Sequence, residues 1–360
     1  MRAAVYRGPD NLRIETVPVP RIGVNELLVK VTACGVCPTD IKKIHYGTVP
    51  PPRIFGHETA GTGVRIGSRV GRLPSGRPLG LGDRVALHHH VPCLKCHFYR
   101  HRAFAQCETY KRTGITAGFE PAGGGFAEYV RVMNFVLPGV VKIPAKNSFA
   151  EGAMLEPVNT VLKAVRRLAL LPGDIVLVAG QGPIGLMFTR LLQLAGMQVI
   201  ATDLLASRLR LAKMFGAKWT MLAQSKAQSP KSKVSNPLST LVPRFSASLD
   251  AAIIAVASDD AVRQAQALVR GGGQVLLFAH TRRGVTTPLD LAATCVDEKD
   301  LLGSYSADFT LQAEVARLVF SRRLDVRPLI THRFALDQTA AAIALAIRPM
   351  PDSLKIVISG

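Results

Sequence analysis

The sequence predicts an α/β protein made of an irregular β barrel and a doubly wound parallel sheet. Three observations carry that prediction. The stretch from Ile175 to Asp203 reads as an apolar strand, a glycine turn, an apolar-faced helix and a second strand ending in an acid. Before about residue 150 the chain consists of short alternating segments broken by Pro and Gly, whereas after about 156 strands alternate with helical patterns. At 360 residues, 48% hydrophobic and 19% charged, it holds enough material for about two globular cores.

Taken in order, strands are expected at Leu12–Val17, Glu26–Val31 and Asp83–Leu87, with the basic Pro/Gly stretch Arg65–Gly82 as an extended turn. The parallel sheet is expected to use strands at 175–179, 198–202, 249–256 and 274–278. Gly271-Gly272-Gly273 is expected to separate a helix near 259–270 from the strand after it. The tail reads as a helix to Arg323, a strand near Leu329, a helix from Asp337 to Ile347 and a last strand from Ser353 to Ile358, folded back onto the first domain. The expected division is 1–155 with 306–360 as the barrel domain and 156–305 as the parallel-sheet domain. Gln224–Pro243, rich in Ser, Lys and Pro, reads as an exposed loop without chemistry.

The glycine turn is Gly180-Gln181-Gly182-Pro183-Ile184-Gly185. Gly180 permits a tight turn off the strand, and Gly182 leaves the backbone open to a pyrophosphate. Gly185 lets the helix, entered through Pro183 and Ile184, pack against the sheet, and its N-terminus offers free N–H groups to the phosphates. Asp203 lies 21 residues beyond Gly182 (203 − 182), where a carboxylate can accept ribose hydroxyls and repel a 2′-phosphate. NAD is therefore expected over NADP. The structural alternative is a βαβ unit with an incidental glycine turn, but strand, helix and acid all stand at the right spacing.

The six cysteines, at 34, 37, 93, 96, 107 and 295, are clustered, which favours metal ligands over disulfides. Cys34-Gly-Val-Cys37-Pro-Thr39-Asp40 and Gly56-His57-Glu58 supply thiolate, imidazole and carboxylate, the donors of a catalytic zinc that keeps one position for substrate. Glu156, in Leu155-Glu156-Pro157, is a second available carboxylate, or else a cap for the next helix. Cys34 reads as a packed core cysteine. His88-His89-His90 looks metal-like, but adjacent strand residues would point to opposite faces, so the three read as structural or as supports for the ligands.

Together these motifs resemble the zinc-dependent medium-chain dehydrogenases of the alcohol, sorbitol and threonine dehydrogenase kind. The resemblance covers nearly the whole chain and adds Gly82-Asp-Arg-Val, Gly124-Gly-Phe-Ala-Glu-Tyr-Val and Ser353-Leu-Lys-Ile-Val-Ile. It implies a GroES-like barrel beside a Rossmann sheet, with Zn2+ and NAD as cofactors. It makes Cys37 and His57 fixed zinc ligands and Glu58 and Glu156 alternating carboxylates. Thr39 would take the alcohol proton and Asp40 would orient His57. The relay histidine of many relatives is replaced by Lys42, followed by Lys43, with His45 as a possible substitute. Arg208 would touch the adenosine ribose and Lys355 would lie near the pyrophosphate. The family's structural zinc lobe has four cysteines; here Cys93, Cys96 and Cys107 are present and Tyr99 stands at the third place. His97 or His101 completing the site, weak three-thiolate binding and a metal-free lobe all stay open.

The implied activity is transfer of hydride from a secondary alcohol or polyol to NAD, giving a ketone. The rivals are a reductase of an activated carbonyl in the same superfamily and, from another class, a polyanion binder suggested by the net charge of +20. Aromatic residues are only 6% and do not interleave with the basic pairs, so no specific nucleic-acid surface is expected. No apolar run nears the ~20 residues of a membrane span, and the start lacks a signal-peptide pattern, so a cytoplasmic protein is expected. Lys299–Tyr305 resembles an edge strand that pairs across a two-fold axis, giving a homodimer or homotetramer.

Overall fold

A computed structural model describes residues 1–71, 78–113, 123–223, 249–279 and 284–360. These form two compact units, Met1–Thr160 with Ser306–Gly360, and Val161–Tyr305. The boundary falls at Thr160 rather than at 155, so Glu156 belongs to the same unit as Cys37. The Gln224–Pro243 stretch lies outside the described residues, as does part of Arg65–Gly82.

The first unit is built on a sheet ordered Ile330–Ala335, Lys355–Ser359, Leu27–Gly35, Glu58–Ile66, Arg84–Leu87 and Val141–Lys142, with Tyr129–Val132 also paired to Leu27–Gly35. Leu27–Gly35 is its hub. It pairs antiparallel with Glu58–Ile66, setting Gly35 opposite Glu58, and with Lys355–Ser359, setting Gly35 opposite Val357. The C-terminal tail thus closes onto the first domain and carries Lys355 to the Glu58 end of the hub. A smaller sheet joins Asn11–Thr16, Arg2–Gly8 and Arg53–Ile54. Val29, Val31, Cys34, Phe55, Phe126 and Ile358 belong to the apolar core between these layers. Burial of such side chains, at about 1.5–3 kcal/mol each, is the main force holding the unit together.

The second unit is a six-stranded, all-parallel sheet ordered Trp219–Leu222, Gln198–Asp203, Ile175–Ala179, Leu249–Ile254, Val269–Leu277 and Asp300–Gly303. Ile175–Ala179 reads as a continuous apolar run because a parallel strand is buried on both faces. The order reverses at this strand, so the glycine turn at its carboxyl end sits at the switch point where such sheets bind ligands. One expectation is corrected here. Gly271–Gly273 do not separate helix from strand: the helix ends at Leu268 and the glycines lie inside Val269–Leu277. The ladder with Leu249–Ile254 shifts register there, as a side-chain-free stretch allows. Asp300–Gly303 is an edge strand, as expected.

Candidate metal centre and nucleotide turn

Cys37 caps the helix Pro38–Tyr46, whose start is favoured by Pro38 in the first turn. Asp40, buried in that first turn, ties two donors together. Its Oδ1 lies 3.1 Å from His57 Nδ1 and its Oδ2 accepts the backbone N–H of Cys37 at 3.3 Å. A carboxylate can only accept here, so Nδ1 carries a proton, and Nε2 is the nitrogen that can bind a cation once it gives up its own. Donor atoms of Cys37, His57 and Glu58 all lie within 4.8 Å of one another. Burial alone would lower the His57 pKa, but Asp40 and the Cys37 thiol hold it well above its ordinary value. A site free of cation therefore attracts positive charge.

Glu58 opens its strand and is buried. Lys355 Nζ donates to Glu58 Oε1 and, at 3.0 Å, to the Val36 carbonyl. Burial pushes the Glu58 carboxyl up, against the pull of Lys355. Burial works to lower the Lys355 ammonium, but Glu58, with the Cys37 sulfur and Glu156, more than offsets it and holds the group above its usual range. Glu58 Oε2 is buried with no hydrogen-bond partner among the described residues. A side chain at Gly35 would come within 1.9 Å of that oxygen, so glycine keeps the place clear. A cysteine sulfur, an imidazole nitrogen and a buried carboxylate oxygen without a hydrogen-bond partner among the described residues converge, and this donor set fits zinc. The resemblance implies Lys355 near the pyrophosphate; in the structure its ammonium is hydrogen-bonded to Glu58.

Glu156 is not among the converging atoms. It lies in the first turn of the helix Leu155–Val165, and its Oε1 is 3.0 Å from His90 Nδ1. Burial raises its pKa while His57 draws it down. His88–His90 lie past the end of their strand at Leu87, so the alternation argument does not apply to them. The three rings pack together, with His89 and His90 centroids 4.0 Å apart and His57 5.4 Å from His89. Burial, then the charge of His90, drives His88 down to about 3 and His89 well below its usual range, so both are neutral. Neither ring nitrogen of either residue has a hydrogen-bond partner among the described residues. Sequence reasoning missed the His90–Glu156 pair, since neither lies near the other in the chain.

Thr39 and Lys42 occupy the same helix as Asp40 and are half-buried. Burial lowers the Lys42 pKa, against the raising effect of the Cys37 sulfur, and Lys43 is lowered chiefly by burial too. His45 is turned to Asp10, its Nδ1 2.9 Å from both carboxylate oxygens. The contact lies at the surface. Cys34 is fully buried against Thr59, with its thiol pKa raised by burial, and is a core residue as expected.

In the second unit, Gly180 has φ +92° and Gly182 caps the helix Pro183–Leu194, with Pro183 in its first turn and Ile184 half-buried behind it. A side chain at Gly185 would meet the Gly180 carbonyl oxygen at 1.8 Å, whereas one at Gly182 would meet nothing within 4 Å. The turn is thus tight on its packed side and open where a pyrophosphate would approach. Asp203 is buried, and its two oxygens accept the N–H groups of Gln181 (2.7 Å) and Leu205 (2.9 Å). Arg208 Nη1 lies 3.9 Å from Asp203 Oδ2. Asp203 therefore fixes the glycine turn as well as offering its remaining lone pairs.

The alcohol dehydrogenase GroES-like domain matches residues 23–145, and the zinc-binding dehydrogenase domain matches 183–321. The chain is 30% identical over 350 residues to sorbitol dehydrogenase of Bombyx mori, covering 96% of this chain and 94% of that one. It belongs to the zinc-dependent medium-chain dehydrogenases. Bovine sorbitol dehydrogenase is likewise 30% identical to this dehydrogenase, over 98% of its length and 94% of the relative. A zinc-binding dehydrogenase structure from Sinorhizobium meliloti, bound to NADP, is 27% identical with a TM-score of 0.84, covering 100% of this chain and 99% of that one. This dehydrogenase is accordingly a GroES-like and Rossmann α/β oxidoreductase. No described helix is long and apolar enough to cross a membrane.

Proposed function

We propose that the chain oxidises a secondary alcohol or polyol to a ketone with NAD as hydride acceptor, at the site of Cys37, His57 and Glu58. The observation that carries this reading is the convergence of those three donors within 4.8 Å beside a chain that also carries the Asp203-anchored glycine turn. Cys37, His57 and Glu58 would hold zinc, and Glu156, on His90, is the carboxylate in reserve. When bound, zinc supplies Lewis-acid polarisation of the substrate hydroxyl, lowering its pKa toward neutrality. Asp40 keeps His57 in one tautomer and orientation, the support a ligating imidazole needs. Thr39 takes the hydroxyl proton and passes it toward Lys42, whose burial-lowered pKa suits it to relay a proton. A nicotinamide, when bound, would supply the acceptor for the carbon-bound hydrogen and its electron pair, so that the loss of one C–H and one O–H bond is balanced by the new C=O bond. The turn Gly180–Gly185 would seat the pyrophosphate, and Asp203 with Arg208 would bind the adenosine ribose, Asp203 disfavouring NADP.

The sorbitol dehydrogenase relatives support a polyol. A cytoplasmic homodimer or homotetramer, paired through the edge strand Asp300–Gly303, belongs to the same reading. The test is NADH formation by zinc-loaded protein over a panel of secondary alcohols, polyols and cyclitols, repeated with NADP. Turnover of at least one polyol with NAD preferred is expected. Absence of NADH formation across the panel, alongside reduction of an activated carbonyl, would replace this reading with that of a reductase.

A further inference from the structure

The glycine turn carries a polar thread that a dinucleotide motif does not itself demand, since the residue between the first two glycines is unspecified. Here that residue is Gln181. It is fully buried, as is Thr189 in the second turn of the helix Pro183–Leu194. Gln181 Nε2 donates to the Val178 carbonyl at 3.0 Å, and Thr189 Oγ1 donates to Gln181 Oε1 at 2.9 Å. A carbonyl can only accept, which sets the amide nitrogen toward Val178 and its oxygen toward Thr189. The backbone N–H of Gln181 donates to Asp203 Oδ2 at 2.7 Å. One residue therefore joins the strand Ile175–Ala179, the helix after the turn and the acid that ends Gln198–Asp203. A threonine inside a helix ordinarily turns its hydroxyl to solvent or back on the carbonyl four residues earlier. Thr189 reaches across to the turn instead.

A buried amide or hydroxyl that loses its partner is destabilising, so the thread favours one setting of the turn over its neighbours. The Gln181 amide nitrogen also lies 3.7 Å from where a side chain at Gly185 would begin, so it fills the space behind the first turn of the helix. A pyrophosphate is met by that helix N-terminus, and an adenosine ribose by Asp203. The two contacts act together only if they stand at the spacing of the ligand. We propose that Gln181 and Thr189 are positioning residues for the dinucleotide: their bond fixes the helix N-terminus relative to Asp203, so that pyrophosphate and ribose are met in one register. The inference rests on the reading of Gly180–Gly185 as the pyrophosphate seat. It uses neither the metal donors nor the alcohol.

Three variants of the full-length protein test it. Thr189→Val removes the hydroxyl at nearly constant shape, and Thr189→Ser keeps it. Gln181→Leu combined with Thr189→Val removes amide and hydroxyl together. NADH binding is followed by its fluorescence, and ADP-ribose and adenosine by their displacement of NADH. ADP-ribose spans the turn and Asp203, whereas adenosine reaches Asp203 alone. Denaturant midpoints are taken on the same samples. Thr189→Val should weaken NADH and ADP-ribose by about tenfold, the effect of one displaced polar contact, and adenosine by less than about twofold. Thr189→Ser should stay near the parent values. The paired apolar variant should regain stability lost in Thr189→Val, because the Gln181 oxygen is no longer stranded, while ADP-ribose binding stays weak. Recovery of ADP-ribose affinity together with stability would overturn the proposal and reduce the thread to core filling. So would unchanged ADP-ribose affinity in Thr189→Val, or equal losses for ADP-ribose and adenosine, which would confine the effect to Asp203. Failure of the parent protein to bind ADP-ribose at all would defeat the reading of the turn itself, and the proposal with it.

Discussion

Two sulfur-bearing sites in one folding unit are built on opposite plans. Around Cys37 the donors differ in kind, with His57 and Glu58 buried and Cys37 half-buried, and charged partners fix two of them: Asp40 holds His57, and Lys355 holds Glu58. Around Cys93 the donors are alike, Cys107 buried and the other two half-buried, with backbone amides on two of the sulfurs and an aromatic stack beside them. The first plan costs a buried network of charges that fails if one member is removed, and in return sets each donor's orientation. The second has no charged partner on its sulfurs among the described residues, only backbone amides and the neighbouring Tyr99–Phe104 stack. Burying a mixed donor set with charged supports is what chemistry on a bound hydroxyl requires; holding a cation alone requires less.

The comparison breaks most sharply at the two cysteines. Cys37→Ser should lower kcat/KM for alcohol oxidation by about 10⁴-fold, the loss of ~5 kcal/mol of transition-state stabilisation. Cys93→Ser, which lies outside the converging donors Cys37, His57 and Glu58, should cost far less activity. Metal analysis beside steady-state rates checks both, and similar losses from the two would erase the distinction. Next in size is Lys355→Met, which strands the Glu58 charge in the interior and should destabilise the fold by about 3–5 kcal/mol. Denaturant midpoints measure it, and Lys355→Met with Glu58→Gln should recover much of the loss. A single variant as stable as the parent would show the ion pair to be dispensable.

Asp40→Asn keeps the shape of the His57 support but weakens it. Zinc affinity should fall by about 10–100-fold in chelator competition. No change would mean that His57 is oriented by its packing against His89 alone. The smallest effect is expected in the other unit. Asp203→Asn should reduce the preference for NAD over NADP by about tenfold, the worth of one hydrogen bond to a charged group. An unchanged ratio of kcat/KM values would move cofactor discrimination elsewhere.

What the sequence revealed follows from how local each feature is. The glycine turn, Cys37-Pro-Thr39-Asp40 and His57-Glu58 are short motifs whose chemistry is set within a few residues. Their chain order alone located them. The partners that tune them are remote. Lys355 is 297 residues from Glu58, and only the pairing of the last strand with Leu27–Gly35 brings them together. A lysine heading the apolar run Lys-Ile-Val-Ile was the available signal, because a charge entering a buried strand needs a counter-charge. His90 and Glu156 carried no such mark. The triple histidine misled, since the strand stops at Leu87 and period-two alternation stops with it. At Tyr99 the sequence showed the missing cysteine but not what replaced it. The stack on Phe104 and Phe309 joins residues more than 200 apart.

The most direct measurement is a zinc-edge anomalous difference map from crystals of the full-length protein. The account predicts a strong peak bonded to Cys37 Sγ, His57 Nε2 and a Glu58 carboxylate oxygen. Density for zinc elsewhere, with the Cys37 sulfur and the His57 imidazole uncoordinated, would contradict it.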